Sequence, residues 1–206
     1  VDQLDYLFID EAGQVCVANL VAMARSTRNI VLMGDQMQLD QPTQGSHPGE
    51  SGMSILEYYL EGKATIPEDL GIFLGETWRL HPDICRFISE SVYEGRLKSK
   101  EEITSKQRIL IPDTSAKWIK QEAGIVYIPV DHEGNQQSCD EEVEVIKEII
   151  QELIGRPYED SKGTKKPLTL DDILIVTPYN LQVRYLKEAL GDNAKVASVD
   201  KFQGQE

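Results

Sequence analysis

The sequence predicts an α/β fold with mainly parallel strands, and three observations carry that expectation. Short, near-continuous Val/Ile/Leu runs recur along the chain, as strands buried on both faces require. Between them lie stretches with apolar residues at helical spacing. Four of the runs close on their carboxyl side in polar, turn-forming clusters. Strands are expected at Leu4–Ile9, 29–33, 71–74, 125–128, 172–176 and 195–199. A helix over 82–93 gathers Ile84, Phe87, Ile88 and Val92 on one face, with Pro82 suited to a first turn. A second, over 141–154, aligns Val143, Ile146, Ile149, Ile150 and Leu153. A third, Asn180–Leu190, aligns Val183, Leu186 and Leu190 behind Asn180 as N-cap. Residues 40–52 and 155–167 read as loops. Residues 98–124 stay unassigned, with a charged start and a short RILIP run that suits a strand.

Composition narrows the class. The chain has 206 residues, 40% hydrophobic and 7% aromatic, enough for one or two domains with a real core. No apolar stretch approaches the roughly 20 residues of a membrane helix, so no membrane partner is expected. With no signal peptide and no initiator Met, the chain reads as a piece of a longer cytoplasmic polypeptide. Cys16, Cys85 and Cys139 are scattered, which argues for a reducing compartment and against a disulfide framework or zinc finger. His47, His81 and His132 are scattered too, against a His-based metal cluster. The net charge of −14 counts against phosphate-rich partners, although a local groove can be basic on an acidic body.

The polar clusters carry the chemistry. Asp10-Glu11 follows the first run and Gly34-Asp35-Gln36 the second. Thr177-Pro178-Tyr179-Asn180 and Asp200-Lys201-Phe202-Gln203-Gly204 follow the last two. In open α/β sheets the carboxyl edge is where ligands bind, so one edge shared by all four clusters is expected. An Asp-Glu pair there is either a strand running out to solvent or a magnesium and water-activating pair. The amides of Gln36 and Gln38 suit either an ordinary turn or a γ-phosphate sensor. Further on, ETWRLHPDICRFISESVYEGRL places Arg79 in a turn before a helix. It is a surface charge, or an arginine that stabilises a transferring phosphate. Trp78 is a core or interface aromatic, or a nucleobase platform.

With these residues in view, the chain resembles the superfamily 1 helicases, in the group of the nonsense-mediated-decay helicase and its DNA-repair relatives. FIDEAGQ resembles motif II (Walker B), GDQMQLDQP motif III, and TWRLHPDICRFIS the family's YRMHP-type motif. VTPYNLQ and SVDKFQGQE resemble later motifs of the second domain. GDQMQLDQPTQGSHPGESG is similar to bacterial helicases fused behind a RecB-like nuclease. The resemblance implies RecA-like P-loop NTPase folds in two partial domains, 1–77 and 78–206, with ATP and Mg²⁺ as cofactors and single-stranded DNA or RNA as partner. It implies that Asp10 holds the magnesium through water and that Glu11 is the general base. Gln38 would couple the γ-phosphate to movement, with Asp35 in the same motif. Arg79 would contact the γ-phosphate, and Trp78, Gly204 and Glu206 would border the nucleotide. Thr177, Pro178, Asn180, Ser198 and Asp200 would lie towards the nucleic-acid strand.

Two departures limit these expectations. The family's QLPP is replaced by Gln38-Leu39-Asp40-Gln41-Pro42, and no GxxxxGK[ST] occurs anywhere in the chain. Without that loop nothing cradles the β- and γ-phosphates. The family's final motif, with a second arginine, is absent as well. The chain alone is therefore expected to be inactive, with the P-loop segment and the C-terminal remainder supplied by the same polypeptide. Two other classes fit the same residues: a non-hydrolysing scaffold, and a metal-dependent nuclease built on Asp10, Glu11 and Asp35.

Overall fold

The computed structural model describes residues 4–39, 45–111 and 116–202, with Asp200 by its backbone alone. The chain folds into two compact units, Val1–Glu76 with Arg86–Lys98, and Thr77–Cys85 with Ser99–Glu206.

In the first unit, β1 (Leu4–Ile9) runs parallel to β2 (Thr27–Leu32), in register from Leu4↔Thr27 to Ile9↔Leu32. A parallel pair needs a crossover, and here it is a 3₁₀ turn at Ala12–Gln14 followed by α1 (Val17–Ala24). Helix α2 (Ile55–Leu60) starts at Ser54, whose hydroxyl accepts from Glu57 N at 3.1 Å. That bond satisfies one of the donors left open at a helix start. Ile9, Ala12, Leu20, Ile55, Leu56 and Leu60 form the core. It covers one face of β1 only. Leu4, Tyr6 and Phe8 are 57%, 57% and 63% exposed, so the expectation of burial on both faces does not hold for this strand. Alternation along the strand sends these three to the side the helices leave open.

Two-residue strands β3 (Glu76–Thr77) and β4 (Lys98–Ser99) mark chain positions where the units change over. Helix α3 (Pro82–Val92) matches its expected span to one residue. Helix α4 (Glu101–Thr104) is short, and β5 (Arg108–Ile109) makes a strand of the RILIP run.

In the second unit β5 pairs antiparallel with β6 (Pro157–Glu159), which pairs with β7 (Lys165–Pro167). This hairpin occupies the expected loop 155–167. Its turn is closed by the Asp160 carboxylate, whose Oδ1 accepts from Lys162 N and Thr164 N, both at 2.8 Å. Helix α5 (Asp140–Leu153) packs with α6 (Asn180–Leu190) over the parallel pair β8 (Leu174–Thr177) and β9 (Lys195–Ser198). Val143, Ile150, Ile175, Leu186, Ala194 and Val196 form that core. Strand β8 starts later than expected because Leu170–Asp172 is a 3₁₀ turn held by a Thr169/Asp172 capping box. The N-cap of α6 is Tyr179, still extended at φ −116°, and Asn180 is the first helical residue. Helix α7 (Val199–Phe202) follows β9.

Two expected strands are not formed. Residues 71–74 and 125–128 have strand-like composition, yet among the described residues neither joins a ladder. Ile72, Leu74 and Tyr127 are 85%, 84% and 87% exposed. An apolar run becomes a strand only where a neighbour pairs its backbone and a surface covers its side chains. Among the described residues no helix is long and apolar enough to cross a membrane.

Candidate active site

Because β1 and β2 are parallel and in register at Ile9↔Leu32, the turns that follow them emerge at the same end. Two glycines let these turns meet backbone to backbone. A Cβ on Gly13 would lie 2.3 Å from Asp35 O, and one on Gly34, at φ +149°, would lie 2.7 Å from Ala12 N. Ala12 N donates to Met33 O at 2.8 Å across the same gap. Asp10-Glu11 is thereby set beside the turn that carries Asp35 and Gln38.

Glu11 itself is left-handed, at φ 49° and ψ 43°, a strained choice for a residue with a Cβ. Gln14 N donates to Glu11 O at 2.8 Å and Glu11 N donates to Asp10 Oδ1 at 3.0 Å, closing the turn. Both carboxylates are exposed, and among the described residues neither has an ion-pair partner. Exposed, uncompensated carboxylates at a strand end suit a magnesium ion held through its water shell.

The amides of motif III divide. Gln36 Nε2 donates to Lys63 O at 3.0 Å and to Ala64 O at 2.5 Å, so it ties the turn to the chain after α2. Gln38 is exposed and lies 3.4 Å from Asp35 Oδ2, a weak bond.

Asp35 is held more firmly than its motif suggests. Its Oδ1 accepts from Met37 N at 2.9 Å, and its Oδ2 accepts from the Tyr93 hydroxyl at 2.5 Å. Burial first, and then the hydrogen bond and charge of Asp35, push the Tyr93 hydroxyl well above its ordinary range, so it stays a donor. Tyr93 is seated by its neighbours. Arg96 Nη1 donates to Thr65 Oγ1 at 2.7 Å and to Ile66 O at 3.1 Å, and its guanidinium lies 4.7 Å from the centre of the Phe73 ring. The Thr65 hydroxyl donates to Glu94. Sequence reading missed Tyr93. The signal near it was SVYEGRL, in which Glu94 and Gly95 take φ 54° and 74° and end the helix.

In the second unit, Trp78 is 58% exposed, with Lys100 Nζ 5.4 Å from its ring centre. Arg79 is exposed, and its backbone N–H donates to Thr77 Oγ1 at 3.3 Å. Thr177 and Ser198 pair across β8 and β9 and are both buried, whereas Pro178 and Asn180 are exposed. Asp200 lies on α7. Gly204 and Glu206 are outside the described residues. The edge expected to serve four strands is therefore two edges of two two-stranded sheets, one in each unit.

The family model described as an AAA domain matches residues 52–206. The DNA polymerase alpha-associated DNA helicase A of Schizosaccharomyces pombe is 28% identical over 99% of this chain and 31% of its own length. The DNA-binding protein SMUBP-2 of Rattus norvegicus is 26% identical over 100% of this chain and 21% of its own. The DNA replication ATP-dependent helicase/nuclease JHS1 of Arabidopsis thaliana is 26% identical over 99% of this chain and 16% of its own. The chain thus spans about a third or less of these curated relatives. It belongs to the AAA-domain family, with a P-loop NTPase-like fold, in the superfamily 1 helicase group that its motifs resemble.

Proposed function

We propose that this chain is the part of an ATP-dependent helicase that carries the water-activating side of the nucleotide site. Residues 1–77 would be the later part of a first RecA-like domain and 78–206 most of a second. The observation that supports this best is the meeting of the β1 and β2 turns through Gly13 and Gly34, which sets Asp10-Glu11 beside Asp35 and Gln38. Asp10 would hold Mg²⁺ through water, and the ion would supply charge neutralisation at the phosphates. Glu11 would take the proton of the attacking water as its oxygen bonds to the γ-phosphorus and the bond to the β-phosphate oxygen breaks. Gln38 would report the γ-phosphate to the rest of motif III, and Arg79 would stabilise its developing charge. The phosphate-cradling loop would come from sequence beyond these 206 residues, so the chain alone would be inactive. DNA is the favoured partner, because the similar proteins are named DNA helicases and DNA-binding proteins. Pro178 and Asn180, exposed at the end of β8, are the proposed contacts to the strand, with Thr177 and Ser198 shaping the edge beneath them.

The test is Glu11→Gln in the full-length protein. Turnover stimulated by single-stranded DNA should fall about 10²–10⁴-fold, the usual range for a lost general base, while ATP binding persists. Normal turnover in the variant refutes the assignment.

A further inference from the structure

The scatter of His and Cys along the chain argued against a metal cluster, but folding brings three ligand types together in the second unit. His132 comes from the loop before α5, Cys139 is the residue that caps α5, and Glu142 lies in its first turn. One ring nitrogen, the thiol sulfur and one carboxylate oxygen all lie within 4.8 Å of one another. Cys139 is 6% exposed, whereas the other two are exposed.

The surroundings orient this group from outside. Gln182, 4% exposed on α6, accepts from Cys139 N at 2.8 Å and donates to Cys139 O at 3.1 Å. The same Nε2 lies 3.4 Å from Glu142 Oε2. Asn135 Nδ2 donates to Glu141 Oε2 at 2.8 Å, and the Cys139 thiol donates to the same oxygen at 3.3 Å. Outer partners of this kind hold metal ligands in place in known sites. Helix capping explains part of the arrangement, since the Cys139 sulfur accepts from Glu142 N at 3.4 Å. It does not explain an imidazole brought within 4.8 Å of both the sulfur and the carboxylate. The positive end of α5 opposes a cation, but Asp140, Glu141 and Glu142 stand in the first turn against it.

We propose that His132, Cys139 and Glu142 bind a divalent transition-metal ion of the zinc class, pinning the loop that precedes α5 to the helix. A nitrogen, thiolate and oxygen set suits a borderline ion rather than magnesium or calcium. Bond lengths of about 2.0–2.3 Å to zinc require the ligand atoms to close by roughly 1 Å, a side-chain movement open to exposed His132 and Glu142. Water or the Glu141 carboxylate would fill the fourth position.

The test is titration of the chelator-stripped chain with Co²⁺, read by the thiolate-to-cobalt absorption band, followed by displacement with Zn²⁺. A saturable 1:1 band is expected, and added zinc should abolish it. Zinc should also raise the melting temperature. His132→Ala, at an exposed position that the fold does not need, should weaken binding by at least about tenfold and remove the zinc-dependent rise in melting temperature. Cys139→Ser should remove the band. Absence of a band, or one unchanged by His132→Ala, overturns the proposal.

Discussion

Tyr93→Phe tests whether motif III is positioned by the end of α3. The substitution keeps the ring against Phe73 and removes only the hydroxyl that donates to Asp35 Oδ2 at 2.5 Å. Asp35 would keep Met37 N at 2.9 Å and the long contact to Gln38. A hydrogen bond to a charged acceptor contributes about 1.5–3 kcal/mol. Tyr93 is half-buried, so water can partly replace it, and we expect a loss of about 1–2 kcal/mol. In a unit of this size each kcal/mol lowers the melting temperature by about 4–8 °C. A double-mutant cycle with Asp35→Asn separates the bond from general packing. The two changes should be non-additive by about 1 kcal/mol. In the full-length protein, ATP turnover should fall about fivefold with little change in ATP affinity, since Tyr93 acts through Asp35. The alkaline limb gives a further check. A hydroxyl whose folded value lies above 10.0 stabilises below that pH and loses this contribution as pH rises past it. Tyr93→Phe should therefore show a flatter decline at high pH. Additive energies in the cycle, with unchanged turnover, refute the positioning role.

Three further outcomes follow from particular contacts. Gly34→Ala should cost roughly 1–3 kcal/mol by backbone strain and suppress turnover of the full-length protein, because its Cβ would sit 2.7 Å from Ala12 N; a fully active variant would show that the turns need not meet. Burial alone would raise the Glu152 carboxyl, but backbone N–H groups of Ile119, Trp118 and Lys117, with Arg156 nearby, hold it below its ordinary 4.5. A lowered carboxylate stabilises above its unfolded value and loses that as pH falls through the folded one. Acid unfolding of the wild type should thus steepen below about pH 4.5, and Glu152→Gln should flatten it at a cost of about 2 kcal/mol at neutral pH. Asp172 is held at about 2, first by Lys166 and then by Thr169; Lys166→Met should bring its titration, followed by NMR, up towards 3.8.

What was legible in the sequence depended on how local the cause was. Leu4–Ile9 and Asn180–Leu190 were read to the residue because period and flanking turns suffice there. Residues 71–74 and 125–128 look the same by composition, and their failure turns on the lack of a ladder neighbour, which no window reveals. The β6–β7 hairpin hid for the opposite reason. Its turn at Asp160 falls within a stretch that reads as a loop, and PYE and KKP do not alternate apolar with polar.

The same division runs through the sites. Asp10-Glu11 and Asp35 were visible because each follows a strand, and parallel pairing then puts them at one end. The partner that fixes Asp35 lies 58 residues away, beyond any local pattern. His132, Cys139 and Glu142 escaped for a related reason. Spacing rules look for repeated ligands on one turn, whereas this group takes one from a loop, one from a cap and one from a helix. Gln182, a residue of α6, is buried against the Cys139 backbone and holds the capping member of the group. Sequence motifs thus pick out acids at strand ends, Asp10, Glu11 and Asp35, that the proposed chemistry would use. The fold supplied the residues that hold them still, and these are where substitutions should separate a positioned site from a mere cluster of polar groups.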